Sequence, residues 1–396
     1  MRDGSARWRI LALLFTARTA MAVQFQAVGA LSPLFAADYG VGLADIGLLI
    51  GLYLAPGIAF ALPGGALGAR FGEREVVLVG LGPMVGGGTL AIAGGAYEAQ
   101  VAGRLIAGAG GVIINVLMTK MATDWFAGRE IATAMGLFVN SWPFGIAFAL
   151  AVLPWVAEAG GLEAALGATV VFAALCLGLM ATFYRDPPRP AGSAPVAAWP
   201  AGPALTALCI AGVIWALFNA ALAMLFGFGP ALLTERGMPL VAASGMTSIV
   251  LWLASVSVPL GGILADRLGR RDLVMLIGLA GFAAGLAAAR AGVPPLAAFI
   301  LIGLLSGLAA APILSLAAAV LRPETRSAGM GLFYTIYYGL MLVCPWLAGE
   351  AAAAAGSAAM AFDLAVAMLA ACVALLGAFR MVVGRARVAA APGRAI

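Results

Sequence analysis

Long apolar runs, broken at short intervals by charged or turn-forming residues, set the layout of this chain. Twelve of them can be cut out, at 9–36, 44–68, 75–96, 99–122, 130–156, 163–184, 204–233, 240–265, 272–290, 295–321, 327–350 and 357–380. Each is near or above the roughly 20 residues that a membrane-crossing helix needs. No two-residue alternation of apolar and polar positions occurs, which excludes a transmembrane barrel. The runs are rich in Gly and Ala, as at Gly86-Gly87-Gly88 and Gly108-Ala109-Gly110-Gly111, the composition expected where helices pack backbone to backbone inside a bilayer. The pattern also repeats. Gly65 to Gly72 aligns with Gly262 to Gly269, and Ala134 to Phe138 with Gly329 to Phe333, at offsets of 197 and 195 residues in a chain of 396. An offset of half the length predicts two equivalent halves, each a bundle of six helices.

Composition agrees. Hydrophobic residues make up 64% and charged residues 10%, with a mean hydropathy of +1.07, against about 45–50% and about 25% in soluble domains. The net charge of +5 comes from arginines scattered over short connections and forms no stripe for nucleic acid. Arg2, Arg7, Arg9, Arg70, Arg74, Arg129, Arg185, Arg189, Arg267, Arg270, Arg271, Arg322, Arg326, Arg380, Arg385, Arg387 and Arg394 fall on one set of connections, which includes both termini. Only Arg236 and Arg290 fall on the other. This asymmetry predicts cytoplasmic termini. The apolar run after Arg9 is too long for a signal peptide and reads as the first span. The Pro- and Ala-rich stretch 185–203 reads as a linker, dividing the chain into 1–184, 185–203 and 204–396. Short loops and many arginines with few lysines suggest a bacterial inner membrane.

Histidine is absent, so imidazole proton relays and the usual metal sites are excluded. Cys176, Cys209, Cys344 and Cys372 lie inside apolar runs without paired spacing, as small core residues do. No nucleophile–base set is present, so enzyme activity is not expected, and neither a cofactor nor a metal is called for.

The segment Gly262-Ile263-Leu264-Ala265-Asp266-Arg267-Leu268-Gly269-Arg270-Arg271 resembles the cytoplasmic loop motif of the major facilitator superfamily. The resemblance implies a fold of twelve helices in two pseudo-symmetric bundles, and a conformational-switch loop at Asp266, Arg267, Arg270 and Arg271 that holds helix ends together in one of two global states. The first-half copy departs from the pattern, with Ala69 at the acidic position and Glu73 at a basic one. Gly103-Arg104 with Gly108 and Gly110 partly resembles another motif of the superfamily. Asp124-Trp125-Phe126, Ser141-Trp142-Pro143-Phe144-Gly145 and the Arg18 segment resemble, at the level of short motifs, its branch of cyanate and nitrate/nitrite carriers.

Ionisable residues inside spans are costly and mark cavities or ion paths. Three basic residues qualify: Arg18, Arg104 and Lys120. Arg18 lies about nine residues into the first expected span, on the order of 13 Å deep. It is either satisfied by carbonyls or a buried partner, or it lines a substrate cavity, which is the reading adopted. Arg104 and Asn115 sit about 20° apart on one helix wheel, with Gly108, Gly111 and Thr119 close by, a face suited to a water-accessible cavity or to close packing. Lys120 can snorkel to the helix end. Among acids only Asp363 falls within a span, near its end, as an interfacial residue. Positive charge without a matching carboxylate favours an anion, and guanidinium geometry suits a carboxylate or small oxyanion. Tyr334, Tyr337 and Tyr338 share a face in the eleventh span, and Asn140 and Trp142 take the equivalent place in the fifth, as in a site at the repeat interface. Gln26, Asn219 and Trp252 complete the expected lining, with Gln24 and Trp215 weaker.

These residues predict a monomeric secondary or facilitative transporter of a small organic or inorganic anion, its partners being that substrate and the lipid bilayer. Two readings compete: a proton-driven exporter of hydrophobic or cationic compounds, and a membrane receptor that binds without flux. Ser141 to Gly145 lacks the glycine pattern of such exporters, and the intact Asp266 to Arg271 segment, which serves cycling, speaks against a receptor.

Overall fold

The computed structural model describes residues 3–61, 72–126, 131–185, 199–322 and 325–390, and it is helical almost throughout. The first-half motif copy from Gly65 to Phe71 and most of the expected linker, 186–198, lie outside these residues. So do Arg2, Arg70, Arg129, Arg189 and Arg394. The described helices are α1 (Asp3–Ala30), α2 (Ser32–Tyr39), α3 (Leu43–Leu52), α4 (Gly57–Phe60), α5 (Glu73–Ala93), α6 (Tyr97–Trp125), α7 (Ile131–Val139), α8 (Ser141–Phe183), α9 (Gly202–Glu235), α10 (Leu240–Leu268), α11 (Arg271–Arg290), α12 (Pro295–Val320), α13 (Arg326–Ala355) and α14 (Ala359–Ala390).

Proline and glycine cut the apolar runs where hydropathy does not. The run expected over 9–36 begins earlier, at Asp3, and breaks at Leu31, because Pro33 sits in the first turn of α2 and donates no hydrogen bond back. The run expected over 44–68 is interrupted between Leu52 and Gly57, ahead of and at Pro56. Residue Asn140 separates α7 from α8 within the expected fifth span. Eleven stretches among the described residues are long and apolar enough to cross a membrane. One of them, Leu137–Phe183, has 47 residues, about 70 Å as a straight helix against a hydrocarbon core of about 30 Å. Gly161, at φ 78 and ψ −178, breaks it in a conformation that only glycine adopts readily. The chain doubles back there. Gly145 before the break packs on Thr19 and Ala22 of α1, and the thiol of Cys176 beyond it reaches the Thr16 carbonyl of the same helix.

Small residues let the helices approach. A Cβ on Gly103 of α6 would meet the carbonyl of Gly87 in α5, and one on Gly110 would meet that of Gly80. In the second half, Gly278 and Gly285 of α11 face Ala309 and Ile302 of α12 in the same manner. Gly80 and Gly87 are related to Gly278 and Gly285 by 198 residues, so the sequence repeat is also a repeat of helix crossings. The four cysteines are free.

The two halves meet chiefly through α1, α3 and α8 of the first and α9, α10 and α13 of the second. Gly47 and Gly51 of α3 lie against the Pro345 and Leu342 carbonyls of α13, and Gly349 of α13 lies against Leu43 and Ala44. These crossings sit on the side of the bundle that carries the turns at Gly40, Gly237 and Gly356.

Candidate functional site

Arg18 occupies the middle of α1 and points at the break between α7 and α8. The last carbonyls of α7 have no helical donor there. Arg18 supplies one: Nη1 donates to the Phe138 and Val139 carbonyls at 3.1 and 3.2 Å and to Ser141 Oγ at 3.3 Å. The guanidinium also lies 4.8 Å from the centre of the Phe138 ring. The negative end of a helix, a hydroxyl and an aromatic face thus hold the charge, and no carboxylate is paired with it among the described residues.

The remaining edge faces the second half. Nε of Arg18 donates to Asn115 Oδ1 at 2.9 Å, and Asn115 Nδ2 donates to the Tyr338 hydroxyl at 3.2 Å. The Tyr338 ring rests on Gly57 of α4, a seat that a side chain there would fill. Because Tyr338 accepts from Asn115, its own proton is left to donate. Nη2 of Arg18 and the hydroxyls of Tyr334 and Tyr337 donate to no described group. Tyr334, Tyr337 and Tyr338 form one cluster with centroids 5.0–6.4 Å apart, continued by Phe333 and Trp215, and all three tyrosines lie within electrostatic range of Arg18.

The other expected residues are placed differently. Arg104, 6% exposed, sits inside the first half, where Nε, Nη1 and Nη2 donate to the Leu49, Gln24 and Phe25 carbonyls at 2.9, 2.8 and 2.9 Å. It lies over the Tyr53 ring at 4.8 Å and borders a cavity of about 30 Å³ with Gln24, Gln100 and Thr169, room for a water molecule. Although Arg104 and Asn115 share a helix, their side chains serve separate groups. Gln26 donates to the Phe226 carbonyl of α9 at 2.7 Å. Asn219 donates to the Trp215 carbonyl of its own helix at 2.7 Å. Trp142 packs on Phe25, and half-buried Asn140 stands at the start of α8. Trp252, 41% exposed, lies edge-on to Phe144.

The loop motif makes a local pair. Asp266 and Arg271 are bonded at 2.9 Å across the α10–α11 turn, beside Asp272 paired with Arg380 of α14. Arg267 and Arg270 are exposed. In the first half, Glu73 opens α5 and pairs with Lys120, which also holds Asp124 at 2.7 Å. Lys120 is therefore a helix-end tie, and the acid that departs from the motif has a partner. Asp363 is bonded to Arg290 at 2.6 Å. Sequence reasoning passed over Tyr53, Gln100 and Ser244, all buried among apolar neighbours. Of the two carbonyls Arg18 reaches, that of Val139 had a sequence signal in Pro143 four residues on, whereas that of Phe138 depends on where α7 stops and had none.

A family model described as the Major Facilitator Superfamily matches residues 13–250 and 224–395. The human choline/ethanolamine transporter FLVCR2 is 28% identical over 153 residues, which are 37% of this chain and 29% of that protein. The chain thus spans under a third of the length of this relative in the matched region. Among solved structures, the inward open xylose transporter XylE from E. coli superposes with a TM-score of 0.74 at 13% identity, covering 92% of this chain and 95% of that one. A bacterial homologue of the human lysosomal transporter Spinster, inward-facing and occupied, gives 0.73 at 15% identity over 96% and 97%. At these identities the likeness is one of fold.

Proposed function

Because the chain belongs to the major facilitator superfamily, and so is a transporter working by alternating access and not an enzyme, we propose that its substrate is a small organic or inorganic anion. The frame is twelve crossings in two six-helix bundles, 1–184 and 204–396 joined by 185–203, with the stretch broken at Gly161 counted as two. Its setting is a bacterial inner membrane, as a monomer with both termini cytoplasmic. Arg18, Asn115, Tyr334 and Tyr338 form the binding site between the bundles, with Asn140, Trp142, Asn219 and Trp252 around it. Arg104 serves the fold, and Gln26 sits outside this site, bonded to α9.

One observation carries this reading: the free groups beside Arg18 are donors. Nη2 of the guanidinium and three phenol hydroxyls have protons to give, and no carboxylate competes for them. Such a site rewards a ligand rich in acceptors, above all an anionic one, since the guanidinium can only donate. The cationic alternative keeps one argument, since the tyrosine faces could hold an ammonium group and FLVCR2 carries choline and ethanolamine by its name. The positive charge of Arg18 within the same cluster opposes it.

Counterflow into proteoliposomes decides between them. With labelled carboxylates, nitrate, nitrite and cyanate, the wild type is expected to show saturable flux and Arg18→Ala none. Arg18→Lys should keep a fraction, because an ammonium cannot replace the planar fork. Flux of choline that survives Arg18→Ala, without anion flux, would refute the anion reading.

A further inference from the structure

Proline leaves the carbonyl four residues before it without its helical donor. In α9 that proline is Pro230 and the carbonyl is that of Phe226, in a buried stretch of the helix. The first half fills the vacancy, since Gln26 of α1 donates its side-chain amide to this oxygen at 2.7 Å. A second bond runs the opposite way. The Ala30 carbonyl ends α1, and the Leu34 N–H that would reach it in a continuing helix turns to Leu31 instead. Ser244 of α10 donates to Ala30 at 3.0 Å. Between the two bonds the backbones touch: a Cβ on Gly29 would come within 3.0 Å of both Gly227 Cα and the Phe226 carbonyl.

We propose that Gln26 and Ser244 are the latch that holds this end of the bundle shut, and that Pro230 in α9 and the turn that ends α1 create the acceptors it closes on. Opening the end separates α1 from α9 and α10, so both bonds break, and each leaves a carbonyl that only incoming water can satisfy. Around these bonds the contacts are apolar, as between the Phe25 and Phe226 rings and between Ile50 and Gly227, and such contacts carry little direction. The two oppositely directed bonds therefore define the closed register. This inference rests on the two-bundle frame above and not on the choice of substrate.

The test is a double-mutant cycle read by distance. Spin labels are placed through Asp38→Cys and Ala242→Cys, one on each half at this end, in full-length protein in liposomes with the four native cysteines replaced and no substrate present. A second pair, Asp38→Cys with Ala96→Cys, lies within the first half. Gln26→Ala is expected to raise the ratio of long to short distances between halves about two- to thirteen-fold, the range for one lost hydrogen bond. Pro230→Ala gives Phe226 a competing helical donor and should raise the ratio in the wild-type background. With Gln26→Ala already present it should have little further effect. An unchanged ratio in Gln26→Ala overturns the latch, and equal effects of Pro230→Ala in both backgrounds overturn the role of the proline. Gln26→Met, which keeps the volume, serves if the alanine variant misfolds. Movement of the within-half pair would refute the rigid bundles, while loss of anion flux alone would leave the latch standing.

Discussion

At the scale of single residues, two arginines of similar hydropathic setting have opposite fates. Arg104 spends Nε, Nη1 and Nη2 on carbonyls of α1 and α3 within one bundle, whereas Arg18 keeps Nη2 free and reaches the second half through Asn115. Removing Arg104 strips donors from a buried interior, where each unsatisfied group costs about 1–3 kcal/mol. Arg104→Ala is thus expected to lower thermal stability by that order, with substrate affinity of the folded fraction unchanged. Thermal unfolding in detergent together with equilibrium binding checks this. Lost binding at unchanged stability would instead return Arg104 to the cavity wall. The sequence marked both arginines as intramembrane, because burial of charge shows in the composition of the run. It could not tell them apart, because the acceptors are backbone carbonyls whose positions depend on where neighbouring helices stop.

At the scale of elements, glycine spacing carries the helix crossings. Gly103 faces the Gly87 carbonyl, while Gly82 of α5 has open space where a Cβ would go. Gly103→Ala should therefore destabilise by about 1–3 kcal/mol, the usual cost of overpacking. Gly82→Ala should be neutral or stabilising by up to about 1 kcal/mol, since it restricts the unfolded chain without a clash. A pair of thermal melts separates the two. The helical, membrane-spanning character of the runs was legible from hydropathy, but their number and boundaries shifted wherever Pro33, Pro56 or Gly161 acted, since these set backbone geometry without altering the apolarity of the run.

At the scale of the whole molecule, the motif pair joins the facing ends of α10 and α11 and not the two halves. Asp266 and Arg271 are both well exposed, so the bond itself contributes at most about 1 kcal/mol to stability. If the loop acts as a switch, its effect belongs to the cycle. Asp266→Asn is expected to leave thermal stability and equilibrium substrate affinity unchanged and to alter turnover, measured as counterflow rate against binding in the same liposomes. Equal losses in stability and turnover would make the pair a structural brace only.

Apolar periodicity and the half-length repeat determined that this is a membrane protein of long helices in two related halves, because lipid leaves a spanning chain few alternatives and a duplication keeps its spacing. Transport followed from the resemblance of the Asp266 to Arg271 segment to the superfamily, which the family match bears out. Tertiary structure alone decided which buried polar groups meet: Arg18 with Asn115 and Tyr338, Arg104 with three carbonyls, and Gln26 with an oxygen exposed by a proline two hundred residues away. Those pairings depend on helix ends, rotations and crossings, which are set by contacts between distant segments and leave no local trace in the order of residues.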